Sequence, residues 1–301
     1  MYAIISKSYS QAEQNMSQIS WQETILGRTG IKVRRVGFAS GYNPPKSALL
    51  WAFEQGVNYF WWGAVRRKNM EKAIQEIVNS GRRTELVIAI SFFVHLPGHI
   101  ERIVRDSLRR LSTDYVDFLI FGYFNQFPKE NLLAKAEELK KKGLCRFLGL
   151  SSHHRPLFAE KETINTFDLF HIRYSAAHPG AEKDIFPYLP PKENKRPGIA
   201  VFNATKHGQL LSRRGKISKK YRYGELLPTF LERLSHKAGL IGGEPTASEC
   251  YRFVLGSPYV DLVIAGPANE SQVLEDVRVL SSGPLPAKET ARLRRVGERV
   301  H

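Results

Sequence analysis

The sequence predicts an α/β fold, a single (β/α)8 TIM barrel with an N-terminal β-hairpin, spanning residues 21–301 behind a tail of residues 1–20. Three observations carry this reading. Eight short apolar runs of strand length recur along the chain, and helical patterns of apolar residues at three- and four-residue steps lie between nearly all of them. Such alternation means parallel strands joined by helices. Eight such units within about 280 residues fit a closed barrel better than an open sheet.

Trp21 to Val36 alternates and turns at Arg28-Thr29-Gly30, as a hairpin plugging the barrel's N-terminal end would. Val36 to Ser40 is the first barrel strand. Ser47 to Gln55 is a helix with Leu49, Leu50, Ala52 and Phe53 inward. Val57 to Trp62 is the second strand, and Met70 to Val78 a helix with Met70, Ile74, Ile77 and Val78 on one face. Glu85 to Phe93, Tyr115 to Phe121, Arg146 to Leu150, Phe167 to Ile172, Gly198 to Phe202 and Val260 to Ala265 are the remaining strands. Between them, Ile100 to Leu111 is strongly amphipathic, and Leu132 to Leu139 ends at Gly143 after three lysines, a helix stop. Capping boxes at Thr246–Glu249 and Asn269–Gln272 open the last helices.

Composition narrows the class. Hydrophobic residues make up 42% and charged residues 25%, ordinary for a globular chain. No apolar run is long enough to span a bilayer, so no membrane partner is expected. Residues 1–20 lack the charged start and long apolar stretch of a secretory signal. Two cysteines, Cys145 and Cys250, stand in apolar settings without CxxC spacing, which points to buried thiols, no metal site and a cytoplasmic location. The net charge of +16 favours anionic partners in general. Its densest cluster, residues 213–222, reads as a solvated loop ahead of a nucleic-acid site, because no known binding module surrounds it.

Chemistry in such folds sits in the loops after the C-terminal ends of strands. Trp61, Trp62, Arg66 and Arg67 occupy that place after the second strand. Strand alternation turns one tryptophan into the barrel and the other out.

The segments ETILGRTGIKVRRVGF, GVNYF, DYVDFLIF, GLCRFLGLSS, DLFHIRY and GPANESQVLED, in that order and spacing, resemble the aldo-keto reductase family over nearly the whole chain. The resemblance implies the barrel, a nicotinamide cofactor (NADP or NAD) and carbonyl reduction. It also shows where this chain departs. The family's aspartate, tyrosine, lysine and histidine positions fall on Trp61, Arg66, Ser91 and Gly122, and no Asp or Tyr lies from Trp61 to Glu71. An indole cannot pair with lysine, and an arginine stays protonated. Replacement acids would be Tyr123 and His153. The positions the family uses for its cofactor fall on Ser151, Ser152, His171, Tyr174, Gly266, Asn269, Gln272 and Asp276, with no Lys or Arg between Ala265 and Asp276 for a 2′-phosphate. The first functional expectation is therefore a nicotinamide-linked oxidoreductase with a non-standard active site, acting on an anionic or aromatic small molecule. The alternatives are a silent nucleotide-binding barrel, a sensor or a structural partner, and an anion- or nucleic-acid-binding role on the same scaffold.

Overall fold

The computed structural model describes residues 21–63, 67–93, 96–191, 196–211 and 244–300. The tail at 1–20, Arg66 and the basic cluster at 213–222 lie outside the described residues. Strands β1 (Glu23–Ile25) and β2 (Lys32–Arg34) form the antiparallel hairpin. Strands β3 (Val36–Ala39), β4 (Tyr59–Trp61), β5 (Val87–Phe92), β6 (Val116–Phe121), β7 (Cys145–Ser151), β8 (Leu169–Arg173), β9 (Gly198–Phe202) and β10 (Leu262–Ala265) pair in parallel around a closed barrel. Helices Lys46–Glu54, Lys68–Asn79, Pro97–Leu111, Glu130–Lys141, Lys161–Thr166, Ala247–Leu255 and Glu270–Ser282 lie between or after strands, and Ala287–Arg299 adds one more.

Two apolar layers follow from strand alternation. Tyr59, Val87, Ala89, Phe118, Ile120, Leu169, Ala200, Leu262 and Ile264 fill the barrel interior. The other face of each strand packs on the helices, as Phe60, Ile88, Leu119, Leu148, Phe170 and Val263 do. Leu26 and Val33 of the hairpin belong to the interior cluster, so the hairpin is the barrel's floor. It is held there by a hydrogen bond from the Arg28 amide to the Arg196 carbonyl, 2.9 Å. Gly27, at φ 50°, lies so close that a Cβ would sit 2.1 Å from the Gly198 nitrogen.

Strands β4, β5, β8 and β10 begin later than their apolar runs suggest. Polar residues at or just before the starts of several strands have other work. Asn58, Asp117, Asp168 and Asp261 accept the backbone N–H of Arg34, Ile88, Leu148 and Ile199, each on the chain leading into or forming the preceding strand. Arginines then clamp the three carboxylates: Arg83 and Arg146 on Asp117, Arg28 on Asp168, Arg196 on Asp261. This ring of carboxylates and arginines lines the N-terminal end of the barrel, beside the hairpin. The capping box at Thr246 makes both its bonds. The second makes only one as expected, because Gln272 Oε1 accepts from Ala268, not from Asn269.

Candidate functional site

The C-terminal mouth is built from the ends of β4 to β9. Trp61 points inward over the interior layer, and Trp62 points out and is fully buried behind β4, with the Arg67 guanidinium 3.9 Å above its ring. Trp62 is core. Arg67 is thereby turned to the helix layer and not to the mouth.

Trp61 Nε1 donates to Ser91 Oγ across β4 and β5 at 2.9 Å. The two positions at which the resemblance expects a buried aspartate–lysine pair are thus joined by a neutral hydrogen bond. The loop beyond folds tightly onto the indole: a Cβ on Gly63 would sit 2.4 Å from Trp61 Nε1. Gly122 is similarly crowded, since a Cβ there would meet the Phe93 ring at 2.4 Å. A histidine at that place would need Phe93 to move.

Past Gly122 the chain takes an unusual turn. Tyr123 has φ 58°, a left-handed conformation that bulky residues adopt only when their surroundings enforce it. The enforcement is visible in Phe124, whose amide donates to the Ser151 carbonyl at 3.1 Å, and in Asn125 Oδ1, which accepts from the His153 amide at 3.3 Å. These bonds tie the loops after β6 and β7 together. They hold Tyr123 between Phe93, with centroids 5.3 Å apart, and His153, with rings 4.9 Å apart and only 7° from parallel. The Tyr123 and Phe93 rings are half exposed, at 51% and 45%. Tyr123 and His153 are therefore brought together by folding. Partial burial, then the nearby Arg173 charge, lowers the His153 pKa, so its imidazole is neutral near pH 7.

Among the cofactor candidates, Ser151 faces the interior in register with His171. Ser152 is committed to its own turn, accepting from the His154 amide at 2.9 Å. His171 is fully buried; its Nε2 shares a 2.7 Å hydrogen bond with the Tyr59 hydroxyl, and Trp61 meets its ring edge-on at 4.9 Å. Tyr174 differs from the expected mouth aromatic. It is 2% exposed, its ring lies against Phe186 and Phe253, and its hydroxyl donates to Glu182 at 2.6 Å. The cause is alternation: Leu169, His171 and Arg173 turn inward, so Tyr174 turns out.

The same alternation identifies mouth residues that motif matching passes over. Phe202, at the inward end of β9, lies 6.1 Å from Trp61. Arg173, at the inward end of β8, is half-buried, makes no ion pair among the described residues and stands close enough to His153 to influence its charge. Arg173 places a cation at this mouth. A separate polar cavity of about 550 Å³ lies at the opposite end, lined by hairpin residues with Asp117 and Arg146.

The adenosine end of a dinucleotide would lie at the start of helix Glu270–Ser282. There Gly266 lies under the Tyr42 ring, and Asn269 caps the Gln272 amide at 3.0 Å. Asp276 is buried, with Oδ2 unpartnered. At the other end the inward hydroxyl of Ser151 and the unpartnered Nδ1 of His171 are suited to an amide-bearing ring. Orphaned polar atoms at both ends fit such a group.

Burial first, and Glu275 second, push the Asp276 carboxyl well above its usual range. A folded pKa above the unfolded one stabilises the fold at pH below the unfolded value and loses that stability as pH rises. Asp276→Asn is therefore expected to be more stable than the parent at pH 8, by about 1 kcal/mol or more. The difference should shrink toward pH 4. Thermal unfolding at the two pH values measures it, and an equal gap at both would refute the buried protonated acid.

A parallel eight-stranded barrel with a hairpin floor and an aromatic mouth defines a TIM-barrel protein with its site at the C-terminal face. The model of the aldo/keto reductase family matches residues 43–298, and the chain belongs to that family. It is 24% identical to L-galactose dehydrogenase of Arabidopsis thaliana over 85% of this chain and 87% of that one. An uncharacterized oxidoreductase of Bacillus subtilis is 22% identical over 88% of this chain and 92% of its own length. In structure, the apo form of an aldo-keto reductase from Bacillus halodurans superposes with a TM-score of 0.71 at 23% identity, covering 91% of this chain and 95% of the other. An aldo/keto reductase from Klebsiella pneumoniae, solved in complex with NADP and acetate, gives 0.66 at 18% identity, over 92% and 96%.

Proposed function

We propose that this protein is a nicotinamide-linked oxidoreductase, binding NADP or NAD across the barrel mouth and acting on an aromatic or anionic small molecule. The observation that carries this reading is the half-exposed Phe93–Tyr123–His153 stack at the C-terminal mouth, with Arg173 near His153. The dinucleotide, when bound, supplies or accepts the hydride. Tyr123 carries an exposed phenol, the proton source that a developing alkoxide needs, and the His153 ring stacked on it holds that phenol at the rim. The exposed rings offer a flat apolar surface to an aromatic substrate. The Arg173 guanidinium suits a carboxylate or phosphate by its forked donors.

A second reading, a barrel that binds the nucleotide without turnover, is favoured by the Trp61–Ser91 bond and the close approach of Gly63 to the indole. Those contacts replace a reactive ion pair by neutral packing. Calorimetric titration with NADPH and NADH, followed by a panel of carbonyl substrates, separates the readings. Binding is expected with at least one dinucleotide. Turnover is expected with aromatic or carboxylate-bearing carbonyls, and only traces with simple aldehydes. Binding without turnover on any of them would select the silent barrel. No binding at millimolar concentration would remove both readings.

A further inference from the structure

Tyr59 on β4 and His171 on β8 lie on strands placed opposite one another in the eight-stranded order, so their hydrogen bond spans the barrel interior. Both side chains are fully buried, and the pair forms a polar crossbar directly beneath Trp61. The direction of that bond decides what the imidazole can offer. If Nε2 held the proton, it would donate to the phenol oxygen. Two polar atoms would then be orphaned, the phenol hydrogen and the Nδ1 lone pair. If the phenol donates to Nε2, one orphan remains, the proton on Nδ1. An unpartnered buried polar atom costs free energy, so the second arrangement is favoured. Burial supports it by keeping both groups neutral: the phenol retains its proton, and the imidazole pKa falls to about 3.

We infer that Tyr59 is a positioning residue that fixes His171 as the Nδ1–H tautomer, presenting a single preset donor for an oxygen acceptor of the ligand bound at the mouth. His171 Nδ1 is buried and has no partner. Its strand neighbour in register is Ser151, which faces the same interior. An acceptor such as the carboxamide oxygen of a nicotinamide ring would satisfy the orphan on binding. The hydrogen bond at one imidazole nitrogen thus sets what the other can do. The role of the donor rests on the dinucleotide reading above; the tautomer does not.

The test is imidazole nitrogen NMR of the full chain, with His171 assigned by comparison with His171→Gln. The free protein is expected to show Nδ1 protonated and Nε2 as the bare acceptor. Tyr59→Phe, which conserves ring volume, should shift the population toward Nε2–H. Titration with NADH or NADPH should move the Nδ1–H resonance, and Tyr59→Phe should weaken that binding about tenfold, measured by calorimetry. A parent spectrum with Nε2 protonated, or a tautomer unchanged in Tyr59→Phe, overturns the assignment to Tyr59. A dinucleotide that binds by calorimetry yet leaves the Nδ1 resonance still overturns the donor's role while sparing the proposed function. Failure of both dinucleotides to bind removes the proposed function and the donor's role together. The free-protein spectrum still decides what Tyr59 does.

Discussion

Asp261→Ala is expected to destabilise the protein by about 3–5 kcal/mol, read as a lowered midpoint in urea or thermal unfolding. Asp261 and Arg196 are each 1% exposed and bonded at 3.0 Å. The arginine also donates to the Pro197 and Tyr259 carbonyls, 2.8 Å each, and the aspartate accepts from the Ile199 amide at 2.8 Å. Removing the carboxylate leaves a guanidinium charge in the interior and an amide of β9 without its acceptor. Attraction between buried ions barely exceeds their desolvation, but an uncompensated one is severe. The joint change Asp261→Leu with Arg196→Met should therefore recover much of the loss. If the single change costs under 1 kcal/mol, water reaches this end of the barrel and the ring of carboxylates is not a closed floor.

Tyr123→Phe should lower kcat/KM on any carbonyl the protein reduces by about 10²–10⁴-fold, the usual worth of a positioned general acid. The ring stack with Phe93 and His153 needs only the aromatic faces, so the variant should keep its fold and its dinucleotide affinity. His153→Gln should give a smaller loss and alter the pH profile, because its imidazole is held neutral by burial and by Arg173. Undiminished turnover in Tyr123→Phe would move the proton donor elsewhere and withdraw the rim stack from the chemistry.

The architecture was legible because its signals are local. Apolar runs of strand length and helical spacing such as Ile100, Val104, Leu108 and Leu111 specify which faces must be hidden, and the barrel hides them. Boundaries were less so. Phe167-Asp168 and Val260-Asp261 read as strand by composition, yet their carboxylates serve a neighbouring strand. That a polar side chain four times takes the N–H of the strand before it depends on lateral pairing, which no window of sequence contains.

Of the site, the sequence by itself determined the absences and one choice. No Asp or Tyr stands between Trp61 and Glu71, and strand alternation required one of Trp61 and Trp62 to face inward. It placed Tyr174 at the mouth because a motif aligned there, although the side-chain parity of β8 turns that ring to the core. Only the tertiary structure decided which tryptophan faces the mouth, that Trp61 bonds Ser91, that Tyr123 stacks on His153, and that Tyr59 meets His171 across the barrel. Each of those pairs joins different strands or loops, 30 residues apart for Tyr123 with His153 and for Trp61 with Ser91, and 112 for Tyr59 with His171. Sequence spacing along one strand specifies a face, but contact across a barrel is set by strand register and closure, which exist only once all eight strands have paired.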